Sequence, residues 1–317
     1  MKILVTGGAG FIGSNIVDAL IGLGHSVVVV DNLSRGKKAN VNRKAKFYKL
    51  DVRNKRIAAI FKKEKPQAVF HYAAQIDIRT SVRDPMLDAE VNVLGTINIL
   101  QAAATAKVKK IIFASSGGSL SSEETILPTP ENKFALPVSP YGAAKISAEM
   151  YLHYFWKMYG LAYAALRMAN VYGPRQSPHG EAGVIAIFTD KMLHGEQPII
   201  FGSGRQTRDY VYIEDIVRAN LLALKSKKVG SYNVGTGKET DVLYLFRKLR
   251  QLTGAKVGEV HGSPAGQKNK ATTLAPGEQK RSSLDAGKIR RELGWRPKIK
   301  LDDGLQKTVA WFRARSS

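Results

Sequence analysis

The chain of 317 residues has no cysteine, so disulfides and thiolate metal sites are excluded and a reducing interior is the compartment it fits. No run approaches the roughly 20 apolar residues that span a bilayer. The opening MKILVTGG is too short an apolar stretch for a secretory leader. A soluble, cytoplasmic protein without a membrane partner is the expectation. Glycine (29) and proline (12) stand at ordinary levels, which argues against a low-complexity tail or a fibrous repeat. Acidic residues are the scarce class, 26 against 49 Lys and Arg, for a net charge of +23. The basic clusters, RKAK at 43–46, KKEK at 62–65, VKK at 108–110, KSKK at 225–228 and KIRREL at 288–293, are scattered over expected turns and helix ends. They form no stripe with interleaved aromatics, so a solvated basic surface is expected rather than a specific nucleic-acid interface. A polyanion would still feel the charge at low salt.

What is present is an alternation. KILVTGG, HSVVVVDN, KFYKLDV, QAVFHYAA and KKIIFASS read as strands apolar on both faces. Between them FIGSNIVDALIGLG, RIAAIFKKEK and DAEVNVLGTINILQAAATA read as helices, the last as one long helix. Strands of this kind separated by helices predict an α/β fold, a Rossmann-type doubly wound parallel sheet. A helix from SPYGAAK to about Tyr159 and the strand AYAALRMANV continue the pattern. From Tyr172 the texture becomes loop-rich, which points to a smaller α+β substrate-binding domain. DYVYIEDIVRANLLALKS and YNVGTG look like a return to the first unit, and 255–283 reads as a mobile loop. The expected boundaries are 1–170 with a return segment at about 209–236, and 171–208 with 237–317.

TGGAGFIG at 6–13 joins the first strand to the first helix, with Gly7, Gly10 and Gly13 in a GxxGxxG spacing and Gly8, Gly10 and Gly13 in GxGxxG. Glycines allow a tight turn and close approach to a pyrophosphate, whose charge meets free N–H groups at the helix start. Asp31 follows at the end of the second strand, where a carboxylate accepts two ribose hydroxyls and repels a 2′-phosphate. The pattern favours NAD over NADP. Asp51, ending the third strand, is placed to meet the adenine amino group or to cap the next helix. Asn92 faces either the cofactor or a buried turn.

Tyr141 and Lys145 in SPYGAAK are four apart and so share a helix face. An ammonium beside a phenol favours phenolate and lowers its pKa from about 10. Oxidised nicotinamide would add a second positive charge, and the phenol could then act as a general base. Ser115 and Ser116 end the fifth strand, where open parallel sheets place their ligands.

These motifs, with VFHYAAQ, EVNVLGT, ANVYGPRQ, GEAGVIAIF, TRDYVYIEDIVRA, YNVGTG and RRELGWRP in the same order, resemble the extended short-chain dehydrogenase/reductase superfamily, most closely its UDP-glucose 4-epimerase branch. The resemblance implies a tightly held NAD contacted also by Phe11, Ile12, Asn32, Val52, Ala73 and Ala74. It makes Tyr141 the base for the sugar 4-hydroxyl, Lys145 the partner of the nicotinamide ribose, and Ser116 a binder of the reacting oxygen. A 4-keto sugar then turns its other face and takes the hydride back. A UDP-sugar would be held by Gln75, Asn170, Arg208, Glu278 and the backbone near Val184; the lesser alternatives are a strand-end turn for Asn170 and a surface salt bridge with Asp209 for Arg208. A homodimer is implied, with the helices of DAEVNVLGTINILQ and ISAEMYLHYF packing across a twofold axis.

Dehydratases and decarboxylases of the superfamily carry an acid just after the active-site Ser or Thr. Here Gly117 and Gly118 follow Ser116, which favours an epimerase. Three positions depart from the pattern: Leu120 and Met168 stand where tyrosines are usual, and Ala275 where an arginine precedes Pro276, Gly277 and Glu278. Lys280 or Arg281 is the candidate replacement for that arginine. UDP-N-acetylhexosamine and UDP-glucuronate are alternative substrates. A reading of another class is a catalytically impaired NAD-binding protein with a nucleic-acid-binding basic surface.

Overall fold

The computed structural model describes residues 1–118, 126–133, 137–179, 183–262 and 280–316. In chain order β1 (Lys2–Thr6) feeds α1 (Phe11–Gly22) and β2 (Ser26–Asp31), followed by β3 (Lys46–Lys49), α2 (Ile57–Glu64) and β4 (Ala68–His71). Short helices α3 (Ile78–Arg83) and α4 (Pro85–Ala89) lead through a π-turn over Glu90–Leu94 into α5 (Gly95–Thr105). Then come β5 (Lys110–Ser116), α6 (Pro140–Tyr159), β6 (Ala162–Met168), β7 (Asn170–Tyr172), α7 (Val184–Leu193), β8 (Ile199–Phe201), β9 (Thr207–Arg208) and β10 (Tyr210–Tyr212). The chain ends through α8 (Ile213–Lys225), β11 (Gly230–Val234), β12 (Thr240–Asp241), α9 (Val242–Thr253), β13 (Val260–Gly262), α10 (Gly287–Leu293) and α11 (Leu301–Ser316).

Seven strands form one parallel sheet in the order β11-β6-β5-β4-β1-β2-β3, a doubly wound arrangement. Alternate residues of each strand feed two cores. Ile3, Val5, Val27 and Val29 pack with Ile16, Val17 and Leu20 of α1 and Ile216 and Ala219 of α8. On the opposite face Leu4, Val28, Val30, Ile111 and Phe113 pack with residues of α2, α5 and α6. This two-sided burial is why the strands read as continuous apolar runs.

Three expectations need correction. The long helix over DAEVNVLGTINILQAAATA is broken between Ala89 and Gly95 by the π-turn. There Asn92 turns its amide to Gln75, and Thr96 Oγ1 donates to the Asn92 carbonyl at 2.6 Å. The strand AYAALRMANV splits at Ala169: β6 stays in the main sheet, whereas β7 pairs with β10. Of the expected loop 255–283, residues 260–262 form β13 beside β8, and Ser282 and Ser283 are buried. Residues 263–279 lie outside the described residues.

Candidate active site

At the cofactor end, β1 runs into Gly7, which adopts φ +69. A Cβ on Gly7 would lie 2.6 Å from the Ala73 nitrogen, and one on Gly13 would lie 2.2 Å from the Gly7 carbonyl oxygen. Both sites are closed to any side chain because the obstacles are backbone. Gly10 caps α1 with no side-chain hydrogen bond, so the first-turn N–H groups, Phe11 and Ile12 among them, are available to an anion. Asp31 is fixed by N–H groups of Ala9 (2.9 Å) and Leu33 (2.8 Å), one to each carboxylate oxygen, at the mouth of this cradle.

Asp51 does not cap α2, which starts at Ile57. Its carboxylate accepts from the Arg53 guanidinium and from Asn32 Nδ2 at 2.9 Å, and Arg53 holds its pKa down at about 2. Asn32 is thereby fixed beside Asp31. Val52 is buried under α5, and its carbonyl accepts from Asn98, so its side chain is core. Ala73 and Ala74 follow β4, and the Ala73 N–H is held by Thr6 Oγ1 at 3.2 Å.

Asn92 takes the buried-turn role. Its amide donates to the Gln75 carbonyl (2.8 Å) and to Asp88 (3.0 Å), and accepts from the Gln75 N–H (3.0 Å). Gln75 spends its side chain on Asp77 and Asp88. In this arrangement both amides shape the loop after β4.

The reactive groups meet where β5 ends and α6 begins. Ser139 caps α6 through the Gly142 N–H, and Pro140 occupies its first turn. That start brings Tyr141 against β5, where its hydroxyl shares a hydrogen bond with the Ser116 side chain. One turn on, Lys145 is only 3% exposed. Its ammonium donates to the Ala114 carbonyl at 2.9 Å and lies 5.6 Å from the Tyr141 ring centroid. Ser115 points to the opposite face and donates to Glu149 at 2.5 Å, so only its backbone faces the ligand end of the sheet.

The electrostatics differ from the expectation that Lys145 lowers the Tyr141 pKa. Burial raises the phenol well above its ordinary value, the Asp88 charge adds to this, and only the Ser116 hydrogen bond opposes it. Desolvation pulls Lys145 down to about 8, against the favourable fields of Asp88 and Glu149. Ionising Tyr141 therefore requires more positive charge than Lys145 supplies alone. His71, buried beneath and bonded to Thr6 and Thr96, is held neutral by desolvation, with the Lys145 charge adding to the effect.

Asn170 is exposed at the start of β7 with its N–H on the Asp209 carbonyl. Arg208 does not pair with Asp209. That carboxylate is buried and accepts from Thr236, Gly237 and Leu284, while Arg208 donates to the Thr207 carbonyl at 2.9 Å. Val184 opens α7 after Gly183. Arg281, a candidate replacement at the departed arginine position, is held by Glu239 at 2.6 Å. Met168 is a buried core residue opposite Ser116 in the β5–β6 register. Leu120, Ala275 and Glu278 lie outside the described residues. Among the described residues no group of three His, Asp or Glu could hold a metal, and no helix is long and apolar enough to cross a membrane.

Residues 3–235 match the model of the NAD dependent epimerase/dehydratase family. The chain belongs to this family. It is 42% identical over 322 residues, spanning all of both chains, to a UDP-glucose 4-epimerase of Mycolicibacterium smegmatis. It superposes on the UDP-glucose 4-epimerase of Thermotoga maritima, solved with UDP-glucose, with a TM-score of 0.94, 48% identity and complete coverage of both chains. The Thermus thermophilus UDP-glucose 4-epimerase in complex with NAD gives 0.91 and 40%, with 99% of each chain covered.

The cofactor of the family is NAD, and the glycine cradle, the uncapped start of α1 and Asp31 fit it. Two residues central to the site escape a reading of the motifs. Glu149 lies four residues beyond Lys145, and Asp88 four before Asn92. Those spacings were the available signal, but nothing in them says that both carboxylates are buried.

Proposed function

We propose that the chain interconverts UDP-glucose and UDP-galactose through a transient 4-keto sugar, with Ser116, Tyr141 and Lys145 as its catalytic residues. The observation that carries the reading is the Ser116–Tyr141 hydrogen bond above the buried Lys145 ammonium, followed by Gly117 and Gly118 in place of an acid. Ser116 holds the O4 atom of the sugar. Tyr141 takes the 4-hydroxyl proton and later returns it to O4 on the inverted sugar. Lys145 supplies positive charge on the far side of the phenol. NAD, which the glycine cradle, the uncapped start of α1 and Asp31 would hold, would supply a reversible hydride acceptor for C4, so no net redox would occur. Without a carboxyl group after Ser116, this segment offers no group to move a C5 proton for dehydration.

Residues 1–170 with the return at 209–236 form the NAD unit in this reading, supported by the parallel pairing of β11 with β6. The sugar unit is 171–208 with 237–317, where Arg208 has no carboxylate partner among the described residues and remains open to a diphosphate. A cytoplasmic homodimer completes the picture. Met150, Tyr154 and Met158 recur every four residues along α6 and are exposed, as is Leu94 of the π-turn that packs against α6. Such a stripe suits a twofold helix-on-helix contact.

The test follows UDP-galactose by NMR with purified protein and no added NAD, alongside Tyr141→Phe. UDP-glucose should appear with the parent protein and not with the variant. Failure with UDP-galactose but turnover of UDP-N-acetylhexosamines or UDP-glucuronate would move the substrate and keep the chemistry. Failure with all three would end the reading.

A further inference from the structure

Asp88 sits on α4, which packs against α6, and is 1% exposed. One carboxylate oxygen accepts from Gln75 Nε2 (2.9 Å) and Asn92 Nδ2 (3.0 Å). The other, Oδ2, is buried and makes no hydrogen bond among the described residues. An unpaired buried carboxylate oxygen is costly unless a cation answers it or it takes up a proton; burial raises the Asp88 carboxyl, and the hydrogen bonds from Asn92 and Gln75 and the Lys145 charge oppose that rise. Around it, Arg79 and Arg83 of α3, Asp84 and Glu90 are all exposed. Among the described residues, the buried charged and titratable groups on the neighbouring elements are Lys145 and Glu149 of α6 and His71 of β4, with Tyr141 of α6 half-buried beside them. Glu149 is already matched by Arg167 at 2.8 Å, and His71 is neutral. Lys145 is the cation left over, since the hydrogen bond it makes among the described residues is to a carbonyl.

We propose that Asp88 is a positioning residue for the Tyr141–Lys145 couple: its buried, unpaired oxygen is the counter-charge to the Lys145 ammonium, and that charge places the pH window in which the couple works. The proposal rests on Tyr141 acting as base. The negative charge favours the ammonium and opposes the phenolate, in agreement with the directions found for both groups. Removing it therefore makes both groups more acidic. In the NAD-loaded protein, where the nicotinamide charge would bring Tyr141 below Lys145, the acid limb of the activity profile follows Tyr141 and the alkaline limb Lys145, and both move to lower pH.

The experiment measures UDP-galactose turnover against pH for the NAD-loaded parent protein, Asp88→Asn and Asp88→Glu. Tyrosine Cζ and lysine Cε NMR titrations, assigned with Tyr141→Phe and Lys145→Met, accompany it. Asp88→Asn keeps an acceptor for Gln75 and Asn92, and both limbs and both midpoints should fall by about one pH unit. Asp88→Glu should restore the window. Unmoved limbs, or a profile scaled down equally at every pH, would overturn the proposal. If Asp88→Asn does not fold, the parent protein still decides. The Asp88 carboxyl carbon signal should respond as Lys145 loses its proton near pH 8, and Lys145→Met should abolish that response. A carboxyl signal that ignores Lys145 refutes the idea. A parent protein that turns over no sugar would defeat the epimerase reading, while the two titrations would still test Asp88.

Discussion

Glu149 is a heavily used buried carboxylate beneath the site, and replacing it by glutamine has a calculable cost. It accepts from Arg167 Nε (3.0 and 3.2 Å) and Nη2 (2.8 Å), from Ser115 (2.5 Å) and from Ser231 (2.6 Å), tying α6 to β5, β6 and β11. The Arg167 side chain is only 21% exposed, so solvent screens the pair weakly. Glu149→Gln leaves an unmatched guanidinium and presents an NH₂ group to existing donors. Breaking a buried pair from one side costs about 3–5 kcal/mol. For 317 residues the unfolding entropy is about 0.7 kcal/mol per kelvin, so each kcal/mol moves Tm by about 1.5 °C. The expected fall is about 5–8 °C by calorimetry on cofactor-free protein. Glu149→Gln combined with Arg167→Met removes both charges and should recover part of the loss. A fall below about 2 °C, or a double variant less stable than the single one, would refute this account of the network.

Gly13→Ala drives a methyl group into the Gly7 carbonyl, and the purified variant should lose co-purifying NAD, measured by absorbance after denaturation. Lys110 is desolvated at the foot of β5 and lowered to about 8, so between about pH 8 and 10 the unfolded chain holds the extra proton and stability rises with pH. Lys145 shares this behaviour, and Lys110→Met should about halve the gain seen in urea titrations of cofactor-free protein. Met150→Glu with Met158→Glu places charge in the exposed α6 stripe and should shift sedimentation from dimer to monomer without changing Tm by more than about 2 °C.

The sheet was legible because its strands are apolar on both faces, and β1, β2, β4 and β5 lie where the runs KILVT, SVVVVD, AVFH and KIIFASS place them. The cofactor cradle and the Tyr141–Lys145 pair were legible because helix geometry and backbone sterics fix them locally. The break at Ala169 was not, since β7 leaves the sheet only because Tyr210–Tyr212, forty residues on, offers a new partner. The short strands β8, β9, β12 and β13 likewise exist only through long-range pairing. The influence of Asp88 on Tyr141 was hidden for the same reason. Its field acts between helices, and a sequence shows neither the burial nor the missing partner.

The late arrival of β11 has a consequence for synthesis. Until residues 230–234 leave the ribosome, β6 is an open edge of a parallel sheet, bearing unpaired N–H and C=O groups on an apolar strand. Roughly 60 residues separate the two strands, so at about 5–20 residues per second the edge stays exposed for about 3–12 s. That interval favours edge-to-edge association between nascent chains. Slowing translation between Met168 and Gly230 should therefore increase aggregation of the newly made protein, whereas slowing it once Val234 has emerged from the ribosome should not.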